Sequence, residues 1–117
     1  MNTQDNTAGS SPRLAFLSPE ESPGMRVFEI GLLKHGAQIA PFKASRFTVE
    51  PNCSSPEDSH EVREIWMVAE GEGELVYDTQ TIRIKAADVL YFESFKPHLV
   101  NNDGDKPLVI YSVWWRA

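Results

Sequence analysis

The chain is poor in several things that would point to common functions. It has one cysteine, Cys53, so an intrachain disulfide framework is excluded and a reducing compartment such as the cytoplasm is expected. No apolar run approaches the ~18 residues of a membrane span, and the N-terminus lacks the apolar centre of a signal peptide, so neither membrane insertion nor export is expected. Positive charge is scarce and scattered: 11 Lys and Arg stand among 17 Asp and Glu, for a net charge of -6. That balance argues against nucleic acid or an anionic membrane as the main partner. There is no internal repeat, and no segment carries a convincing helical pattern.

What remains is a β-rich pattern. With 8 Pro, 7 Gly and only short apolar runs, the 117 residues read as one all-β domain with a single core. Residues 1–12 are too polar to offset the entropy of ordering and are expected to form a disordered tail ahead of a domain spanning 13–117. Residues 13–17 suggest an edge strand, 18–24 a loop, 26–33 a strand, and His35-Gly36 a turn. Residues 44–50 alternate as a half-buried strand, and the Ser- and Pro-rich stretch 51–59 is a loop. A hairpin is expected from 74–78 and 81–84, then strands at 88–92 and 108–115, with a turn at Asp103-Gly104. Eight or nine short strands imply a closed or double-sheet architecture.

The stretch Asp58-Ser-His60-Glu-Val-Arg-Glu64 carries the chemistry. Its three candidate ligands have even spacing, so an extended backbone points them to one face. A straight strand would spread them over ~20 Å at ~3.3 Å per residue, far more than one ion can bridge. The chain must therefore bend between His60 and Glu64, as a loop entering a strand over Ile65 to Ala69 would do. A helix bearing a variant of His-Glu-x-x-His is the competing interpretation. It fails because Glu64 stands where the second His belongs, and Ile-Trp-Met-Val followed by Gly71 and Gly73 favours a strand.

Two motif fragments in order resemble the cupin family. His60, Glu64 and Gly71 match His-x3-Glu-x6-Gly, the core of its first motif, and His98 and Asn102 match His-x3-Asn, the tail of its second. Asp58 stands where the first motif normally opens with His. Ala87, Glu93 and Phe95 stand at the Gly, Pro and Gly positions of the second. The resemblance implies a double-stranded β-helix, the cupin jelly-roll barrel, and one divalent metal ion (zinc, iron, manganese or nickel) held by His60, Glu64 and His98. Asp58 is a fourth ligand, a proton-transfer group beside the ion or a loop-capping acid. Asp58 and Glu64 are the candidate catalytic carboxylates.

Trp66 and Val68 share the face of Glu64, and Val100 and Asn102 that of His98, so these four are the expected pocket lining. Arg46, Tyr91 and Trp114 are further candidates whose facing depends on register. His35 and Cys53 read as incidental loop residues. The family resemblance implies metal-assisted chemistry on a small polar metabolite in a homodimeric barrel. Lewis-acid chemistry of an isomerase, lyase or condensing enzyme is expected, with an iron-dependent dioxygenase and a non-enzymatic ligand-binding module as alternatives. The Ser112-Val-Trp-Trp115 ending, together with Glu64-Ile-Trp66, also looks like small zinc cupins associated with nitrogen–nitrogen bond formation.

Overall fold

The computed structural model describes residues 11–116. Most of the expected disordered tail, residues 1–10, lies outside them. The described residues contain twelve strands and no helix. In chain order these are β1 (Glu20–Ser22), β2 (Met25–Glu29), β3 (Leu33–Lys34), β4 (Ala37–Gln38), β5 (Lys43–Val49) and β6 (Cys53–Ser54), then β7 (Arg63–Glu70), β8 (Glu72–Tyr77), β9 (Gln80–Lys85), β10 (Val89–Phe92), β11 (His98–Asn102) and β12 (Leu108–Trp115). Six form one antiparallel sheet in the order β1-β2-β5-β12-β7-β10, and four form a second in the order β6-β11-β8-β9. β3 and β4 make a separate small hairpin.

Alternation decides the interior. Phe47 and Val49, Trp66 and Val68, and Leu108 and Ile110 point inward from the larger sheet, with Phe92 from its edge strand. They meet Leu75, Ile84 and Val100 from the smaller sheet in one buried cluster. The inward positions are two apart on each strand, as a pleated backbone requires. The chain passes between sheets at Gly71, which separates β7 from β8. Its φ is +85°, and a Cβ there would lie 2.6 Å from the Pro107 carbonyl oxygen, so only glycine turns this corner without strain.

Several local expectations are corrected. The strand expected over 26–33 ends at Glu29, and the edge strand expected over 13–17 reduces to a single bridge between Phe16 and Ile30. The expected loop 18–24 contains β1, which folds onto β2 through Pro23-Gly24 and pairs Glu20 with Val27 and Ser22 with Met25. The expected loop 51–59 contains β6, paired with Asn101 and Asn102 of β11. Pairs this short are determined by their partners, and Glu-Glu-Ser or Cys-Ser carries no periodic signal of its own.

Candidate metal centre and cavity

The loop before β7 is fastened to β11 by its backbone. Asp58 N–H donates to the His98 carbonyl at 3.0 Å, and His98 N–H donates to the Asp58 carbonyl at 2.9 Å. Phe95 N–H donates to the His60 carbonyl at 2.7 Å, tying the same loop to the β10–β11 connection. The bend inferred between His60 and Glu64 is present: His60 lies in the loop, whereas Glu64 is the second residue of β7 and faces inward. Glu64 sits between two strands, opposite Phe92 of β10 and Trp114 of β12.

The side chains then converge. Glu64 Oε1 lies 3.2 Å from His60 Nε2 and 3.2 Å from His98 Nε2, and Asp58 Oδ2 lies 3.6 Å from His60 Nε2. The ligating atoms of Asp58, His60 and His98 all fall within 4.8 Å of one another, a grouping that could hold a metal ion. His60 Nδ1 is 3.2 Å from the Val62 carbonyl and His98 Nδ1 is 3.2 Å from the Lys96 carbonyl. A carbonyl can only accept, so each Nδ1 carries a proton, an orientation that turns Nε2 of each ring toward Glu64.

The other Glu64 oxygen is fully engaged. Oε2 accepts from Trp66 Nε1 at 2.9 Å and from the Ser112 hydroxyl. Oε1, by contrast, is buried without a hydrogen-bond donor among the described residues, and its approaches to the imidazoles are close but not aligned as hydrogen bonds. A buried carboxylate oxygen facing two imidazole nitrogens calls for positive charge at that point, whether a proton on a ring or a bound cation. Burial alone would raise the Glu64 carboxyl, yet His98, Ser112 and Trp66 outweigh it and hold it below its ordinary value. Burial likewise opposes protonation of His98, but Glu64, the Lys96 carbonyl and the charge of Asp58 raise it overall. The donor set of two imidazoles and carboxylates fits a divalent ion.

Aromatic rings brace the centre. The His98 ring stacks on Phe92 with centroids 4.4 Å apart and planes 3° from parallel, while Trp66 meets both edge-on at 5.5 and 4.7 Å. Trp66 also contacts Phe47 at 5.1 Å. The centre opens into a cavity of about 450 Å³ lined by residues of β1, β2, β5, β7, β11 and β12 and of the Asp58 loop. That volume lies within the range of small-molecule sites, roughly 300–1,000 Å³.

The expected pocket residues divide. Trp66 lines the cavity, as does Trp114. Val68, Val100 and Asn102 do not. They share the predicted inward faces, but they lie further along their strands, ~13 Å beyond Glu64 or His98 for a four-residue step in the case of Val68 and Asn102. Val68 and Val100 are packed in the core. Asn102 is 1% exposed and spends its amide on the Val49 and Lys106 carbonyls at 2.9 and 2.8 Å while its oxygen accepts from Gly104 N–H at 3.0 Å, so it organises a turn. Tyr91 faces outward, and Arg46 lies over the Phe16 and Phe28 rings. Sequence reasoning missed Ser112 as the partner of Glu64. Its signal was a small polar residue at an inward position between Ile110 and Trp114 on an otherwise apolar strand.

Two of the second-motif departures fall at positions of unusual backbone conformation. Ala87 has φ +80° and Phe95 φ +64°, so both glycine positions keep the left-handed conformation with side chains in place. The family model described as Cupin domain matches residues 45–114. The chain belongs to the cupin family. Among solved structures, a Cupin 2 conserved barrel domain protein from Salinispora arenicola shares 33% identity with this cupin at a TM-score of 0.74, over 86% of this chain and 82% of that one. A predicted oxalate decarboxylase from Thermotoga maritima shares 25% identity at a TM-score of 0.70, over 86% and 93% of the two chains. A sugar phosphate isomerase from Silicibacter pomeroyi, at 23% identity and a TM-score of 0.67 over 81% and 61%, shares the fold.

Proposed function

We propose that this cupin is a metal-dependent enzyme acting on a small polar molecule in the cavity, by Lewis-acid chemistry of the isomerase, lyase or condensing type. Glu64 Oε1 carries the proposal: a buried anionic oxygen without an aligned hydrogen-bond donor among the described residues, 3.2 Å from each of two imidazole nitrogens. His60, Glu64 and His98 would hold one zinc, iron, manganese or nickel ion, with Asp58 as the fourth ligand. When bound, the ion supplies polarisation of a substrate oxygen.

The chain's own residues supply the rest. The Val62 and Lys96 carbonyls fix the imidazole tautomers, and Ser112 and Trp66 immobilise Glu64. Met25, Val27, Phe47 and Trp66 provide apolar walls that limit water and strengthen electrostatic contacts in the cavity. In the alternative role, with the ion held by His60, Glu64 and His98 alone, Asp58, its side chain 63% exposed beside His60, is placed to accept or return a proton at the cavity wall. We assign the protein to the cytoplasm as a homodimer. Cys53 as a free thiol supports the first, and the exposed apolar residues Val89, Tyr91 and Met67 on adjoining outer positions of β10 and β7 support the second. Among the described residues no helix is long and apolar enough to cross a membrane.

Elemental analysis of protein purified without added metal tests the centre. About one ion per chain is expected, lost in the His60→Ala, His98→Ala double variant, and retention of the metal in that variant would overturn the assignment. Turnover of candidate substrates by zinc-loaded and iron-loaded protein, each with and without oxygen, tests the chemistry. Activity confined to iron with oxygen would move the protein to the dioxygenases.

A further inference from the structure

The register of the β1–β2 hairpin determines which side chains enter the cavity. Directly opposed residues of an antiparallel pair share a face. Glu20 is opposite Val27 and Ser22 opposite Met25, and both Val27 and Met25 line the cavity. Glu20 is therefore on the cavity face. Glu21 also borders the cavity, but it is opposite Arg26 in the pair and its carboxylate lies 3.5 Å from Arg26 Nε. Among the described residues Glu20 has no ion-pair partner.

Charge in the cavity is one-sided. Its lining residues include Glu20, Glu21, Asp58 and Glu64, of which Glu21 is paired with Arg26, and no lysine or arginine among the described residues. Lys43 and Arg116 line a separate hollow that shares Trp114 as a wall, and Arg116 is paired with Glu61 at 2.7 Å. With Glu21 offset by Arg26, the three remaining carboxylates outnumber the two charges of a divalent ion, so the cleft stays negative with the ion in place. A cleft of one sign concentrates ligands of the opposite sign, by a modest factor where its carboxylates are as exposed as Glu20 and Asp58.

We infer that this cavity selects its substrate by charge, with Glu20 as the specificity-determining residue, an inference that rests on the function proposed above. The substrate class is a small molecule with an oxygen donor at one end, an apolar segment along Met25, Val27, Phe47 and Trp66, and a protonated amine at the end facing Glu20. Phosphates and dicarboxylates are disfavoured.

The test uses three alkyl hydroxamic acids of equal length, ending in an ammonium, a methyl or a carboxylate group, titrated calorimetrically into zinc-loaded protein. The ammonium tail is expected to bind about tenfold more tightly than the carboxylate tail. Glu20→Gln should shrink that ratio to about threefold and Glu20→Lys should abolish or invert it, with the methyl tail unchanged within about twofold. Equal binding of the two charged tails, or a ratio indifferent to Glu20→Lys, would overturn the inference. In parallel, hexylammonium and hexanoate are titrated into metal-free protein, following the indole N–H signals of Trp66 and Trp114. Hexylammonium should again bind more tightly, and parity or preference for hexanoate would count against the charge selection. Hydroxamic acids that bind no better with zinc than without it would remove the metal assignment alone, and the alkyl pair would still decide the role of charge.

Discussion

Replacing Ala87 by glycine should stabilise this protein, against the usual effect of adding a glycine. Ala87 closes a tight turn in which Asp88 N–H donates to the Lys85 carbonyl at 3.0 Å. Its φ of +80°, with Ala86 outside the left-handed region, is the third position of a type II turn, which favours glycine. Holding an L-residue in the left-handed region costs ~1–2 kcal/mol. Glycine adds unfolded-state entropy worth about 0.5–1 kcal/mol in the opposite sense. Ala87 is exposed, so its methyl contributes little burial. The net expectation is a gain of about 0.5–1 kcal/mol, or roughly 3 °C in Tm for a domain of this size. Ala86→Gly, one residue earlier at ordinary φ, is the control and should lose about 0.5–1 kcal/mol. Urea titrations of both variants measure the pair. Destabilisation of Ala87→Gly to the extent of the control would show that the turn does not strain the native residue.

Other outcomes follow from the same structure. Ser112→Ala removes a donor to Glu64 and should weaken metal affinity about tenfold in a competition titration, with the fold intact by circular dichroism. Asn102→Ala should cost ~2–4 kcal/mol in urea, by leaving the Val49 and Lys106 carbonyls without their donor, while changing affinity for the metal little. Gly71→Ala should cost ~2–4 kcal/mol, because a Cβ there would meet the Pro107 carbonyl at an already left-handed φ. In metal-free protein the pH dependence has two arms. Glu64, lowered in the fold, contributes stability that is present above its ordinary value of 4.5 and lost as pH falls through the folded value. His98, raised in the fold, contributes stability that is present below its ordinary value of 6.5 and lost as pH rises through the folded value. Melting temperatures should therefore peak between these limits without metal, and the peak should move to higher pH when zinc is added, since metal binding competes with protons.

The parts of the site carried by alternation and spacing were legible in the sequence. His60, Glu64 and His98 come together as the cupin resemblance implies, and Trp66, Val68, Val100 and Asn102 all face inward. Alternation reports a face, however, and not depth along the strand. It therefore could not tell Trp66, at the cavity, from Val68, beyond it in the core. The role of Asn102 depends on carbonyls at Val49 and Lys106, one of them far away in sequence. The β1 strand was illegible for a related reason. Glu20-Glu-Ser22 is polar throughout, and only its pairing with Met25 and Val27 makes Glu20 part of a cavity wall.

The position of β12 imposes an order of events on biosynthesis. Residues 108–115 are the last strand in chain order, yet they lie between β5 and β7 in the middle of the larger sheet. Until they leave the ribosome, β5 and β7 each have an open edge, and Glu64 lacks the Ser112 that holds it. At ~5–20 residues per second the incomplete sheet persists for seconds with apolar strand edges able to pair with other chains. Metal arriving in that interval would meet His60, Glu64 and His98 before their frame exists. Loading is therefore expected to follow the synthesis of β12, and truncation before residue 108 should yield an aggregating fragment rather than a smaller barrel.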